Sequence, residues 1–129
     1  MEDKIFLDTD FLVDFLRNKD YAISFMKENE KNYLCISIIS LFELFYGAFK
    51  SQVPKKVMAV EQLASRVNVF GVSQEIAKEA GRIYADLEKQ GKIVEFKDIL
   101  IGTTALIHNG HFKTTNVKHF ERIKDLKIV

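Results

Sequence analysis

Residues 5–16 read IFLDTDFLVDFL, and this stretch decides the fold class that the sequence predicts. Its first three residues are apolar and are typical of a short buried strand. Apolar side chains then recur at helical spacing at positions 11, 12, 15 and 16, which leaves Asp10 and Asp14 for solvent or for a site. A buried strand that passes directly into an amphipathic helix is the repeating unit of an α/β fold.

The rest of the chain alternates in the same way between short apolar runs and longer amphipathic stretches. This pattern predicts an open α/β sandwich, with a central parallel sheet of four or five strands flanked by helices. The further predicted strands are 33–36, 67–72, 112–115 and 127–129. The predicted helices are 11–16, 21–29, 38–51, 54–66, 73–91 and 98–107, with Ser37 and Ser73 as caps and Pro54 in a first turn.

Two features predict where the core lies. Cys35, the only cysteine, falls in an apolar run and is expected to be a small buried side chain; alone it excludes an internal disulfide and a multi-cysteine zinc site. In the 38–51 helix a single apolar stripe is expected to face the core. Its members are Leu41, Leu44, Phe45, Ala48 and Phe49.

Composition and charge exclude several classes of protein. The chain has 129 residues, with 19 Lys and Arg against 18 Asp and Glu, and this net charge of +1 argues against a broadly basic nucleic-acid binder. No run approaches the roughly 18 apolar residues of a membrane span, and we recognise no secretory signal, so we expect a cytoplasmic protein without a membrane segment. Since no proline- or glycine-rich linker interrupts it, residues 1–129 are expected to form one domain.

Three acidic residues occupy positions that favour chemistry. Asp8 follows the first strand at the carboxyl end, where open parallel sheets bind ligands, although capping of the next helix is an alternative. Glu43 lies among apolar residues; it could form a capping box with Ser40, but Ser37 is the better helix start, which favours a functional acid. Asp98 opens its helix, where the macrodipole alone would also favour an acid.

If these carboxylates converge, they raise one another's pKa unless a cation neutralises them. Oxygen ligands select hard ions, Mg²⁺ first and Mn²⁺ next, rather than zinc. Such an ion lowers the pKa of bound water and stabilises charge on a phosphate, which predicts phosphodiester hydrolysis. We expect His108, His111 and His119 to be solvent-exposed or to contact phosphate rather than to bind zinc.

Four segments together resemble the PIN domains, and specifically the VapC-like toxic ribonucleases of toxin–antitoxin systems. They are 6–17 (FLDTDFLVDFLR), 36–47 (ISIISLFELFYG), 96–106 (FKDILIGTTAL) and 114–120 (TTNVKHF), in the family's order across nearly the whole chain. The resemblance implies a PIN-like fold and an endoribonuclease that depends on Mg²⁺ or Mn²⁺. It implies Asp8, Glu43 and Asp98 as the catalytic and metal-binding acids, with Asn116 and Thr114 as auxiliary residues.

The chain departs from the family at a few positions. Many PIN domains have a fourth acid where this chain has Asn116, a neutral oxygen donor that could hold a metal-bound water without supplying charge. Glu95 and Gly102 stand where glycine and alanine, respectively, are common. These departures leave the number of bound ions open.

The resemblance also implies partners. Besides an RNA substrate, it implies a small antitoxin whose C-terminal segment covers the acid groove, and a toxin that pairs as a two-fold homodimer. The apolar faces of helices 38–51 and 54–66 are the predicted antitoxin contacts, although core packing is the alternative for most of their residues. The basic segment 111–129 is predicted to bind RNA phosphates.

Three alternatives remain. A haloacid-dehalogenase-like phosphatase would use Asp8 and Asp10 as its paired aspartates, but Leu12 stands where its motif has Thr or Val. A response-regulator receiver domain would need a phosphoacceptor aspartate after the third strand, and residues 67–74 contain no acid. A non-catalytic PIN-type binding module is the third, and the presence of all three acids argues against it.

Overall fold

The computed structural model describes residues 3–129, and their strands form one parallel sheet. The strands are β1 (Lys4–Leu7), β2 (Tyr33–Ser37), β3 (Asn68–Phe70), β4 (His111–Lys113) and β5 (Lys127–Ile128). The helices are α1 (Thr9–Leu16), α2 (Asp20–Glu28), α3 (Ile38–Lys50), α4 (Pro54–Ala64), α5 (Gln74–Lys89), α6 (Phe96–Ile107) and α7 (Val117–Phe120). Every strand pairing is parallel, in the order β3-β2-β1-β4-β5. The predicted open α/β sandwich is confirmed.

The two faces of the sheet carry separate hydrophobic cores. Successive side chains of a strand point to opposite faces, so Phe6 joins a core built with α5 and α6, while Ile5 and Leu7 join a core built with helices α1 to α4. Cys35 is fully buried in the first of these cores, as its apolar surroundings predicted. The sheet is therefore covered on both sides, as buried parallel strands require.

Local signals set most helix starts correctly. The Ser37 hydroxyl accepts a hydrogen bond from the Ile39 amide at 3.1 Å, and Ser73 caps α5 in the same way. Pro54 is the first residue of α4, where its missing amide costs nothing. Because Ser37 starts α3, Glu43 lies inside that helix, as predicted.

Three local expectations were wrong, and one helix was missed. Helix α6 begins at Phe96, so Asp98 lies in its first turn and does not open it. Helix α7 was not predicted, and β3 is shorter than the expected 67–72. Phe49 is 64% exposed, whereas Leu44 and Ala48 of the same predicted stripe are buried. Phe49 stands in the last turn of α3, where it lines an open groove with Val53 and Met58 instead of joining the core.

Among residues 3–129, no helix combines the length and the apolar character needed to cross a membrane.

Candidate active site

The site lies where the strand order reverses. The chain passes from β1 to β2 and β3 on one side, and then crosses to β4 and β5 on the other. The carboxyl ends of β1 and β4 therefore form a crevice of the kind in which open α/β sheets bind ligands. Asp8 follows β1 and Thr114 follows β4, and the Thr114 hydroxyl donates to Asp8 Oδ2 at 2.8 Å. This hydrogen bond fixes a carboxylate at the reversal point.

Asp8 is both a helix cap and a site residue. Its Oδ1 accepts a hydrogen bond from the Thr9 amide at 2.8 Å, at the start of α1. Its own amide donates to the carbonyl of Lys113 on β4. Only 3% of Asp8 is exposed. The two interpretations that the sequence left open are therefore compatible, since one oxygen caps α1 and the other faces Thr114.

Glu43 brings α3 to the same region. The Thr9 hydroxyl donates to Glu43 Oε1 at 2.7 Å, and the Lys97 ammonium lies 3.5 Å from Oε2. Ser40, the partner in the alternative capping box, has a buried hydroxyl without a hydrogen-bond partner. Glu43 therefore contacts residues of α1 and α6 rather than capping its own helix.

Asp98 lies in the first turn of α6 and contacts a residue of α7. His119 Nδ1 lies 3.9 Å from Asp98 Oδ2 and 2.9 Å from the side-chain nitrogen of Asn116. The backbone amide of Asn116 in turn donates to the Thr114 hydroxyl at 2.9 Å. Thr114, Asn116 and His119 thus form a chain of contacts that runs from Asp8 to Asp98.

Burial and mutual repulsion perturb two of the three acids. Burial raises the pKa of Asp8 to about 7, opposed by the hydrogen bonds from Thr114 and Thr9 and reinforced by the charges of Asp10 and Asp98. Burial also raises the pKa of Asp98 to about 6. The charge of Glu43 is the next cause, and the charge of His119 opposes it. Asp8 repels Asp98, and Asp98 repels Glu43, so the three acids share one electrostatic environment.

The donor set suits a hard divalent cation. Carboxylate and amide oxygens, the donor atoms of Asp8, Glu43, Asp98 and Asn116, are the ligands that Mg²⁺ and Mn²⁺ prefer. Within residues 3–129, no three acidic, histidine or cysteine side chains are already grouped to hold a metal ion. Both oxygens of Glu43 are engaged, one by Thr9 and one by Lys97. The chemistry fits, and ion binding would require Glu43 to exchange partners.

The sequence did not single out Thr9 or Lys97. Each precedes or follows a predicted acid, which is the only signal that could have found them. His108 was expected to be exposed or to contact phosphate, but its ring stacks on Phe6 and lies 4.4 Å from the ring of Phe70. Partial burial there lowers the pKa of His108.

Comparison with known proteins decides the family. The PIN domain model matches residues 5–126 of the chain. The chain belongs to the PIN domain family. This PIN domain is 34% identical over 125 residues to the tRNA(fMet)-specific endonuclease VapC of Shigella flexneri. The alignment covers 96% of this chain and 95% of that protein. It is 31% identical, with the same coverage, to ribonuclease VapC2 of Haemophilus influenzae.

Solved structures show that this PIN domain shares its fold, over nearly its whole length, with chains of VapBC complexes. The chain superposes with a TM-score of 0.90 and 33% identity on a chain of DNA-bound VapBC from Salmonella typhimurium, covering 100% of this chain and 98% of that one. For VapBC2 from Rickettsia felis, bound to a promoter DNA fragment, the TM-score is 0.91 at 28% identity, with 98% and 97% covered. The PIN-like fold is thereby confirmed, rather than a phosphatase or a receiver domain.

Proposed function

We propose that this PIN domain is the ribonuclease toxin of a toxin–antitoxin pair, an endoribonuclease that hydrolyses RNA phosphodiester bonds. Similarity over nearly the full length to VapC ribonucleases supports this activity. The observation that carries it is the buried Asp8 carboxylate, held by Thr114 where the ends of β1 and β4 meet. Glu43 hydrogen-bonds to Thr9 beside Asp8, and the charge of Asp98 acts on Asp8, so both acids lie near enough to take part in the proposed chemistry.

In this proposal Asp8, Glu43 and Asp98 hold Mg²⁺ or Mn²⁺, and Asn116 and Thr114 assist. The bound ion would supply a water of lowered pKa and stabilise charge on the scissile phosphate. The protein contributes orientation, because Thr114 and Thr9 fix the two oxygens of Asp8. It also contributes affinity, since a cation offsets the burial and, to a lesser degree, the repulsion that raise the pKa of Asp8 and Asp98.

We place the antitoxin on the surface formed by α3 and α4. A cavity of about 410 Å³ lies there, lined mainly by apolar side chains that include Phe49, Val53 and Met58. A second cavity of about 200 Å³ lies between α1, α3 and α4, and Glu43 borders it. A bound segment that follows these cavities would therefore end at the acids, which is where an inhibitor of cleavage would act.

We further propose that the toxin forms a two-fold homodimer and acts in the cytoplasm, where its RNA substrate would be. The stacked rings of Phe42 and Tyr46 on α3 support the dimer, since they are 62% and 59% exposed and offer apolar area to a second protein surface. Light scattering on the purified chain tests this assembly.

The test of the activity is a cleavage assay on total cellular RNA with Mg²⁺, Mn²⁺ or EDTA. We expect site-specific cleavage by the wild type with either ion, no cleavage in EDTA, and none by Asp8→Asn. Glu30→Gln is the matched control, because it removes an equal charge from an exposed position and should cleave normally. Equal cleavage by wild type and Asp8→Asn, or cleavage that survives EDTA, would refute the nuclease. A folded wild type without any cleavage would instead favour the non-catalytic binding module.

A further inference from the structure

Lys97 is the feature of the site that the proposed function leaves unexplained. It lies on α6, one residue before Asp98, and its ammonium is 3.5 Å from Glu43 Oε2. We propose that Lys97 is the internal counter-ion of Glu43, that a divalent cation displaces it, and that the freed ammonium then binds a phosphate group of the RNA. This inference rests on the proposed function and assigns Lys97 as a further substrate-binding residue of that site.

The geometry shows that Glu43 is held by two different donors. Thr9 is a neutral donor at 2.7 Å, and it shares α1 with the cap residue Asp8, so it keeps its place whatever the state of the site. Lys97 is a charged donor at a longer distance, at the end of a flexible side chain. Of the two contacts, the ion pair is therefore the one that can exchange.

The charges around Lys97 make the exchange favourable. Among residues 3–129, Lys97 is the one lysine or arginine in ion-pair contact with Asp8, Glu43 or Asp98. A divalent cation bound by Glu43 would stand within a few ångströms of the ammonium and repel it. It would also replace the single charge that Lys97 supplies by a double one.

The position of Lys97 suits it to RNA once it is released. Its side chain is 39% exposed, compared with 25% for Glu43 and 23% for Asp98, so the ammonium lies at the solvent side of the acids. A lysine is a mobile point charge that binds phosphate without a fixed geometry. The same side chain can therefore neutralise Glu43 before a cation binds and the incoming polyanion afterwards.

The first experiment measures ion binding without RNA. Calorimetric titration of Mn²⁺ into Lys97→Gln should give a dissociation constant about threefold to tenfold lower than for the wild type, because the competing cation is gone. Lys92→Gln is the matched control, since it removes the same charge from an exposed position before α6 and should bind Mn²⁺ like the wild type. An unchanged affinity in Lys97→Gln would overturn the inference.

The second experiment tests whether Lys97 binds an RNA phosphate once a divalent cation is present. Binding of total tRNA is followed against salt concentration, in Ca²⁺ or in EDTA, with a gel after each titration to confirm intact RNA. In Ca²⁺, Lys97→Gln should lower the magnitude of the log–log salt slope by about 0.7 to 0.9, the loss of one phosphate contact, and Lys97→Arg should restore it. In EDTA the slope should not change, because Lys97 is then paired with Glu43. An equal loss in both conditions would show a fixed RNA contact and contradict the exchange.

These readouts fail separately from the proposed function. If the wild type cleaves no RNA but both shifts at Lys97 are found, the nuclease proposal fails and the exchange at Glu43 stands. If the wild type cleaves RNA but Lys97→Gln changes neither Mn²⁺ affinity nor the salt slope, the assignment of Lys97 alone is refuted.

Discussion

Replacing Asp8 by asparagine is expected to make the metal-free protein more stable at neutral pH and, under the proposed function, to abolish cleavage. Burial raises the pKa of Asp8 from its ordinary value of 3.8 to about 7. Between these two values the folded protein holds a proton that the unfolded chain releases, so folding becomes less favourable as the pH rises. Above pH 7 the full cost of burying the charge is present, and asparagine does not carry that cost.

The magnitude follows from the pKa and the hydrogen bonds of Asp8. A rise from 3.8 to about 7 corresponds to about 4 kcal/mol at pH 8. Asparagine keeps one oxygen for the Thr9 amide but places its NH₂ group opposite Thr114, whose hydroxyl then loses its acceptor. That loss costs about 1–2 kcal/mol. The free energy of unfolding of Asp8→Asn should therefore exceed that of the wild type by about 2–3 kcal/mol at pH 8.

The assay is urea unfolding of both proteins in EDTA, at intervals from pH 4 to pH 8. The free energy of unfolding of Asp8→Asn should exceed that of the wild type most at pH 8. This difference should shrink as the pH falls from 7 to 4, and near pH 4 the variant should be slightly less stable than the wild type. Glu30→Gln removes an exposed carboxylate and should show no such trend. Addition of Mn²⁺ should stabilise the wild type by about 2.7 kcal/mol at one hundred times its dissociation constant, and should stabilise Asp8→Asn far less.

Two results would refute this reasoning. A stability difference between Asp8→Asn and wild type that is the same at pH 4 and pH 8 would show that the Asp8 carboxylate is not strained by burial. A variant that is less stable than the wild type at pH 8 would show that the hydrogen bonds of Asp8 outweigh its desolvation, and the carboxylate would then be a structural cap.

Two further changes test the core and the proposed antitoxin surface. Gly110→Ala should lower the free energy of unfolding by about 1–2 kcal/mol, because its Cβ would lie 2.7 Å from Cδ1 of the buried Phe6 ring. Urea unfolding measures this change, and unchanged stability would contradict the close packing. Met58→Glu should reduce recovery of the cognate antitoxin in co-purification without loss of fold, since Met58 lines the larger cavity. Ile93→Glu, at an 86% exposed position outside both cavities, should leave recovery unchanged. Equal recovery with both variants would argue against this surface.

Much of the fold could be predicted because its signals are local. The apolar run of β1, the serine caps of α3 and α5 and the proline at the start of α4 each act within a few residues. The start of α6 could not be predicted in this way, since Glu95 precedes it without a capping hydrogen bond. Helix α7 has four residues and also lacks a side-chain cap. That residues 1–129 form one domain stays a prediction.

The glycine at position 102 shows why tertiary packing cannot be predicted from local signals. A Cβ there would lie 2.5 Å from Ile123 Cδ1 and 3.3 Å from Phe120 Cδ1. Both partners lie about 20 residues away in the chain, Phe120 at the end of α7 and Ile123 shortly after it. The sequence shows the glycine but not the side chains that require it.

The candidate site likewise has features that follow from local signals and features that follow from long-range contacts. The sequence singles out Asp8, Glu43 and Asp98 because each stands at a strand end or inside a recognisable helix, and the structure couples Asp98 electrostatically to both Asp8 and Glu43. Their neighbours could not be assigned, since Thr9 meets Glu43 across 34 residues and Thr114 meets Asp8 across 106. Those contacts set how far each carboxylate is desolvated and what it must release to take a cation. The choice of these three acids therefore rests on local sequence signals and stays a prediction, whereas their charge state and their competing partners depend on tertiary packing.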